Sequence, residues 1–134
     1  MTGHDVEIDI PRLVPLELEL EVCVEPGYFR SEVRAALLQI FSSRELANGR
    51  RGIFHPDNFT FGQPIYLSAL YAAAESVAGV ASVRVKTFQR QGNASLAALE
   101  KGELEINRLE IAILENDPNF PHRGILRLTV EGGK

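Results

Sequence analysis

The run Val14-Pro15-Leu16-Glu17-Leu18-Glu19-Leu20-Glu21-Val22-Cys23-Val24-Glu25 decides how the rest of the chain is read. Apolar residues at 14, 16, 18, 20, 22 and 24 alternate with Glu17, Glu19, Glu21, Cys23 and Glu25. Successive side chains of a strand point to opposite faces, so a period of two predicts a half-buried strand over residues 14–24. Its apolar face needs apolar partners, and the sequence on its C-terminal side supplies them. Pro26-Gly27 ends the strand. Phe29, Val33, Ala36, Leu37, Ile40 and Phe41 then recur at helical spacing, which predicts a helix over about 28–44. Pro64 suits the first turn of a second helix running to residue 77, rich in small alanines and stopped by Gly79.

Alternation returns over residues 80–90, with Val83 and Val85 on one face and Arg84, Lys86 and Arg90 on the other. After a polar loop through Gly92 and Asn93, residues 103–114 change phase between Ile106 and Leu109. This predicts a third strand with a bulge or turn at Asn107-Arg108. Asn116, Asp117, Pro118 and Asn119 are turn chemistry, and residues 125–130 give a fourth strand. The expected order is β-α-α-β-β-β in one α+β domain over residues 14–134, preceded by a loose lead-in over 1–13. Two successive helices return the chain to the end of the sheet it left, so the second strand should run antiparallel to the first. The expected architecture is a two-layer sandwich of a mostly antiparallel four-stranded sheet with two helices on one face. Charge phase adds a rule of order. Glu17, Glu19 and Glu21 face outward on the first strand, Arg84, Lys86 and Arg90 on the second, Glu103 and Glu105 on the third and Arg127 on the fourth. Opposite charges favour adjacency, which places the first strand beside the second or fourth and not beside the third.

At 134 residues, 45% hydrophobic and 24% charged, the chain has the length and composition of one globular domain. A net charge of −4 argues against nucleic acid, whose phosphates are met by clustered Lys and Arg. No apolar run approaches the roughly 18 residues of a membrane span. One cysteine and an acidic start without a signal-peptide pattern read as cytoplasmic.

No arrangement of side chains points to catalysis, and neither a cofactor nor a metal is expected. Cys23 has Glu21 and Glu25 as its in-phase neighbours, and carboxylates disfavour the thiolate that a nucleophile needs. His4, His55 and His122 lie far apart and outside any metal-ligand spacing; only a chance meeting of His55, Asp57, Asp117 and His122 would build a centre. The glutamates of the first strand share one environment, whereas acid–base work needs carboxylates in unlike ones. Arg50 and Arg51 beside Gly49 and Gly52 lack phosphate-loop spacing.

The unusual feature is the irregular stretch 49–63, which holds Phe54, Phe59 and Phe61, three of the seven phenylalanines. Long irregular segments tend to be functional, and the ordinary alternative is that the rings plug the end of the core. Phe54, Phe59, Phe61, Gln63 and Tyr66 are the candidate residues for a partner interface.

Phe59-Thr60-Phe61-Gly62-Gln63-Pro64-Ile65-Tyr66-Leu67-Ser68 resembles the signature stretch of phage-type baseplate assembly proteins, in the C-terminal part of the baseplate J-like family. Gly79-Val80 leading into Val83 is similar to that family's strand entry. Asn116-Asp117-Pro118-Asn119, followed by Pro121 and Gly124, is similar to its Asn-Asp-Pro-Asn turn. The resemblance covers residues 14–133 and lacks the family's long N-terminal portion. It implies a structural, non-enzymatic domain, incorporated into a phage or phage-tail-like particle such as a contractile injection system. Its partners would be other baseplate or tail-like particle proteins in a hetero-oligomer. The alternative function is a free-standing protein- or ligand-binding module that uses the Phe-rich loop 53–63.

Overall fold

A computed structural model describes residues 12–46 and 49–134 of the chain. The first element is β1, Arg12–Val24, which begins two residues before the alternation suggests. Val14, Leu16, Leu18, Leu20, Val22 and Val24 are all buried, and the side chains between them are partly or fully exposed. Each large aliphatic side chain removed from water contributes about 1.5–3 kcal/mol of transfer free energy, so this one face anchors the core. In the same core cluster α1 (Arg30–Ile40) buries Val33 and Leu37, and α2 (Leu67–Glu75) buries Leu70, Ala73 and Ala74.

Both helices are shorter than their periodicity suggests. Past Ile40 the chain turns so that Ile53 N–H donates to the Ile40 carbonyl and Phe54 N–H to that of Ser42. Gly52 makes this approach feasible, because a Cβ there would lie 2.0 Å from the Ser42 carbonyl oxygen. At the start of α2, Ile65–Tyr66 forms a short strand, β2, that displaces the helix start from Pro64 to Leu67.

The remaining strands are β3 (Val80–Arg90), β4 (Glu103–Leu104), β5 (Glu110–Ile113) and β6 (Ile125–Gly132), with a short helix α3 (Ala97–Lys101) between β3 and β4. The fold is α+β, with a mixed four-stranded sheet and a separate two-stranded sheet in which β2 pairs antiparallel with β4. The expected third strand is thus split: β4 leaves the main sheet, and a turn at Arg108-Leu109 leads into β5.

The expectation of a mostly antiparallel sheet is corrected. β1 is antiparallel to β3 but parallel to both β5 and β6. Leu16 faces Arg90, so the chain leaves β3 at the end where β1 begins. Neither the five-residue α3 nor the two-residue β4 can span the thirteen-residue β1. The connection therefore crosses at that same end, and the next strand runs the way β1 runs. β5 and β6 then follow β1 in succession, the first along Arg12–Pro15 and the second along 17–24. Between them residues 114–124 leave the sheet and return. Glu115 N–H donates to the Arg123 carbonyl at the base of this excursion.

The rule of strand order is also corrected, because β1 pairs directly with β5, with Val14 facing Ala112 and Pro15 facing Ile113. That contact lies ahead of the carboxylate row, and Arg12 is the residue that faces Glu110. Along the row itself opposite charges do meet: Lys86 Nζ lies 2.7 Å from Glu21 and an Arg127 nitrogen 2.6 Å from Glu17. Glu19 accepts from the Thr87 hydroxyl, and Glu17 also accepts from Gln89 Nε2.

Candidate functional site

Segment 49–66 is tied down locally. Glu45 and Arg51 form a β-bridge across its base, and the Asn58 side-chain amide donates to the carbonyls of Gly52 and Ile53. Pro56–Asn58 makes one 3-10 turn, capped by His55 Nδ1 accepting from Asp57 N–H at 3.1 Å. Gln63 Oε1 accepts from both the backbone N–H and the hydroxyl of Thr60. Gly62, at φ +70°, donates its N–H to the Glu110 carbonyl and so fastens the segment to the sheet.

On this frame the five aromatic-loop candidates separate. Phe54 is only 3% exposed, with its ring 6.4 Å from Phe41 and stacked 6.1 Å from Phe59, so it belongs to the core. Phe59 is half-buried against the same cluster. Gln63 is occupied by Thr60. Phe61 and Tyr66 stand out at 53% and 51% exposure, one in the turn before β2 and the other within it.

The second candidate group shapes the excursion between β5 and β6. Asn116 takes φ +50°, a left-handed conformation that asparagine tolerates, and its Oδ1 accepts from Leu126 N–H at 3.0 Å. Asp117 Oδ1 accepts from Asn119 N–H. Pro118 and Asn119 are exposed, and the turn presents Phe120, which is 47% exposed with the Arg123 guanidinium 5.4 Å from its ring centroid.

Among the described residues no three His, Cys, Asp or Glu side chains gather as a metal ion would require. His55 sits 3.9 Å from Asp57, and His122 lies edge-on to Phe120; Cys23 is exposed. His4 lies outside the described residues. No helix among them is long and apolar enough to cross a membrane.

Among the described residues the most strongly perturbed group is Glu110, which no sequence spacing singled out. Arg90 donates to both its carboxylate oxygens, at 2.9 and 2.8 Å, and Asn107 N–H donates to Oε1 at 2.8 Å. The guanidinium, helped by that amide, lowers the Glu110 carboxyl to about 2 despite the opposing effect of burial. Arg90 also donates to the Glu105 carbonyl, so one side chain joins β3, β5 and the link from β4. The expectation of Arg90 on the outer face fails because β3 carries a bulge. Thr87 faces Glu19 while Val85 faces Leu20, which leaves Lys86 as the extra residue and reverses the phase beyond it. A shallow cavity of about 290 Å³ lies beside this pair, lined among others by Arg90, Ser95, Lys101, Glu103 and Asn107. Its charged groups are mutually paired, with Lys101 bridging Glu103 and Glu105.

Comparison with protein-family models, with curated proteins and with solved structures finds no significant match.

Proposed function

We propose that this chain is a non-enzymatic assembly domain that docks onto other proteins of a phage-like baseplate or contractile injection particle, in a hetero-oligomer formed in the cytoplasm. The observation that carries the docking reading is the pair Phe61 and Tyr66, each half exposed on a segment fastened to β5 through Gly62 and to β4 through β2. Aromatic rings are enriched at interfaces because each buries a large apolar area with few rotamers to lose. The particle itself is proposed on the resemblance of 59–68 and 116–119. A two-layer arrangement, with both helices on the apolar face of β1, would suit a domain built into an assembly.

The test is affinity purification of the tagged chain from its native cell, followed by mass spectrometry, for the wild type and for Phe61→Ser with Tyr66→Ser. Tail-tube, sheath or baseplate proteins should co-purify with the wild type and be lost from the double variant, whose melting temperature should stay within about a degree or two, since little folded-state burial is removed. Recovery of one unrelated protein or small ligand would favour the binding module, and undiminished capture by the variant would remove these rings from the interface.

A further inference from the structure

Parallel pairing uses alternate residues of a strand, so those between direct both N–H and C=O away from the partner. On β6 three outward groups can be identified from what holds them. Leu126 N–H donates to Asn116 Oδ1 at 3.0 Å, the Leu128 carbonyl accepts from Arg34 at 3.0 Å, and the Gly132 carbonyl accepts from Arg30 at 2.8 Å. The even-numbered residues therefore face the outer edge, and among the described residues no strand pairs there. Arg30 and Arg34 lie four residues apart on α1, hence on one face of the helix, and both exposed side chains reach this edge. An open strand edge is a template for another chain, and charged side chains are a common way of guarding one.

The guarded strand is self-complementary. Ile125-Leu126-Arg127-Leu128-Thr129-Val130-Glu131, laid antiparallel against itself about Thr129, sets Leu128 opposite Val130 and Arg127 opposite Glu131. Leu128 and Val130 both bond outward, so each such pair would exchange two backbone hydrogen bonds. Arg127, Thr129 and Glu131 occupy the closer, non-bonded positions, where opposite charges and Thr–Thr pairs are favourable. Arg127 already bonds Glu17 at 2.6 Å, and a neighbour's Glu131 would extend that pair into a chain of three charges. We propose that the outer edge of β6 is a docking edge for a second copy of this chain, held closed by Arg30 and Arg34. The proposal concerns contact between like chains and is independent of the particle reading.

Sedimentation velocity of the full chain over a wide concentration range tests it, with circular dichroism as the check on folding. The wild type should sediment as a monomer over most of the range, and the Arg30→Ala with Arg34→Ala variant should move toward twice the mass. Adding Glu131→Lys, which sets a lysine opposite Arg127, should return it to monomer; further adding Arg127→Glu should restore the dimer. If the double alanine variant does not melt cooperatively, Arg34→Met, which keeps the apolar stem, takes its place with the same expectations. A folded variant that stays monomeric at every concentration overturns the proposal, as does a dimer, wild-type or variant, indifferent to Glu131→Lys.

Discussion

Replacing Glu110 by glutamine removes one charge from its doubly hydrogen-bonded ion pair with Arg90 and keeps the shape of the side chain. The glutamine oxygen can still accept from Asn107 N–H, but the two-pronged contact with Arg90 is lost, and the amide nitrogen now faces a guanidinium. Charge-assisted hydrogen bonds contribute about 1.5–3 kcal/mol each, and losing one partner of a fully buried pair costs about 3–5 kcal/mol. The Arg90 side chain keeps 29% of its surface in water against 11% for Glu110, so solvent recovers part of the loss. The expected destabilisation is about 2 kcal/mol near neutral pH. Its pH dependence follows from the direction of the shift. The folded-state carboxyl is lowered from 4.5 to about 2, so its stabilisation is complete above about 4.5 and disappears as pH falls toward 2. Urea unfolding of wild type and Glu110→Gln, at a series of pH values from neutral to about 2.5, reads the difference directly. The gap should be widest at neutral pH and shrink below about 4.5. A gap that stays constant across that window, or one under about 0.5 kcal/mol at neutral pH, would refute the reasoning.

The remaining predictions concern packing and backbone. Phe54→Ala should cost about 3–5 kcal/mol in chemical denaturation, because the ring fills the space between Phe41 and Phe59; a cost below about 1 kcal/mol would take it out of the core. Gly124→Ala should destabilise by about 2 kcal/mol or more, since φ there is +104° and a Cβ would lie 2.7 Å from the Leu114 Cα; a melting temperature equal to wild type would show that the excursion can shift to make room. Tyr71→Phe should cost about 0.5–1.5 kcal/mol through loss of the hydroxyl that accepts from Val85 N–H at 3.1 Å, and an unchanged unfolding midpoint would mean that water replaces it.

Which features were legible depended on whether the deciding interaction was local. The alternation of β1 reports burial on one face, and the bounds 80–90 of β3 emerge from the same period. Direction was not legible: β5 runs parallel to β1 because of where the chain stands after β3, and no side chain records that. The bulge at Lys86 adds one residue to a regular alternation, which in sequence is indistinguishable from an ordinary outward lysine, so the alternation puts Arg90 on the wrong face and carries no sign of its partner twenty residues on. In the candidate loop the count of rings was visible but their division was not. Phe54 and Phe61 have the same chemistry, yet the first is buried where Gly52 approaches Ser42 and the second stays exposed. Phe29 shows the converse. Its helical spacing suggested burial, yet it sits just ahead of α1 and is 51% exposed, with Lys134 over its ring.

The excursion of residues 114–124 interrupts a line of pairing that continues from Ile113 beside Pro15 to Ile125 beside Glu17. Its two ends meet so closely that only a glycine fits at 124, and Glu115 N–H bonds the Arg123 carbonyl across the base. A loop closed at its root makes little demand on its own length, since doubling it adds only about 0.6 kcal/mol of closure entropy. Foreign sequence spliced between Pro118 and Asn119 would project from the sheet on a stem already tied, and the strands on either side would keep their register. The position is therefore a natural socket for carrying a tag, an epitope or a longer arm without redesigning the fold beneath it.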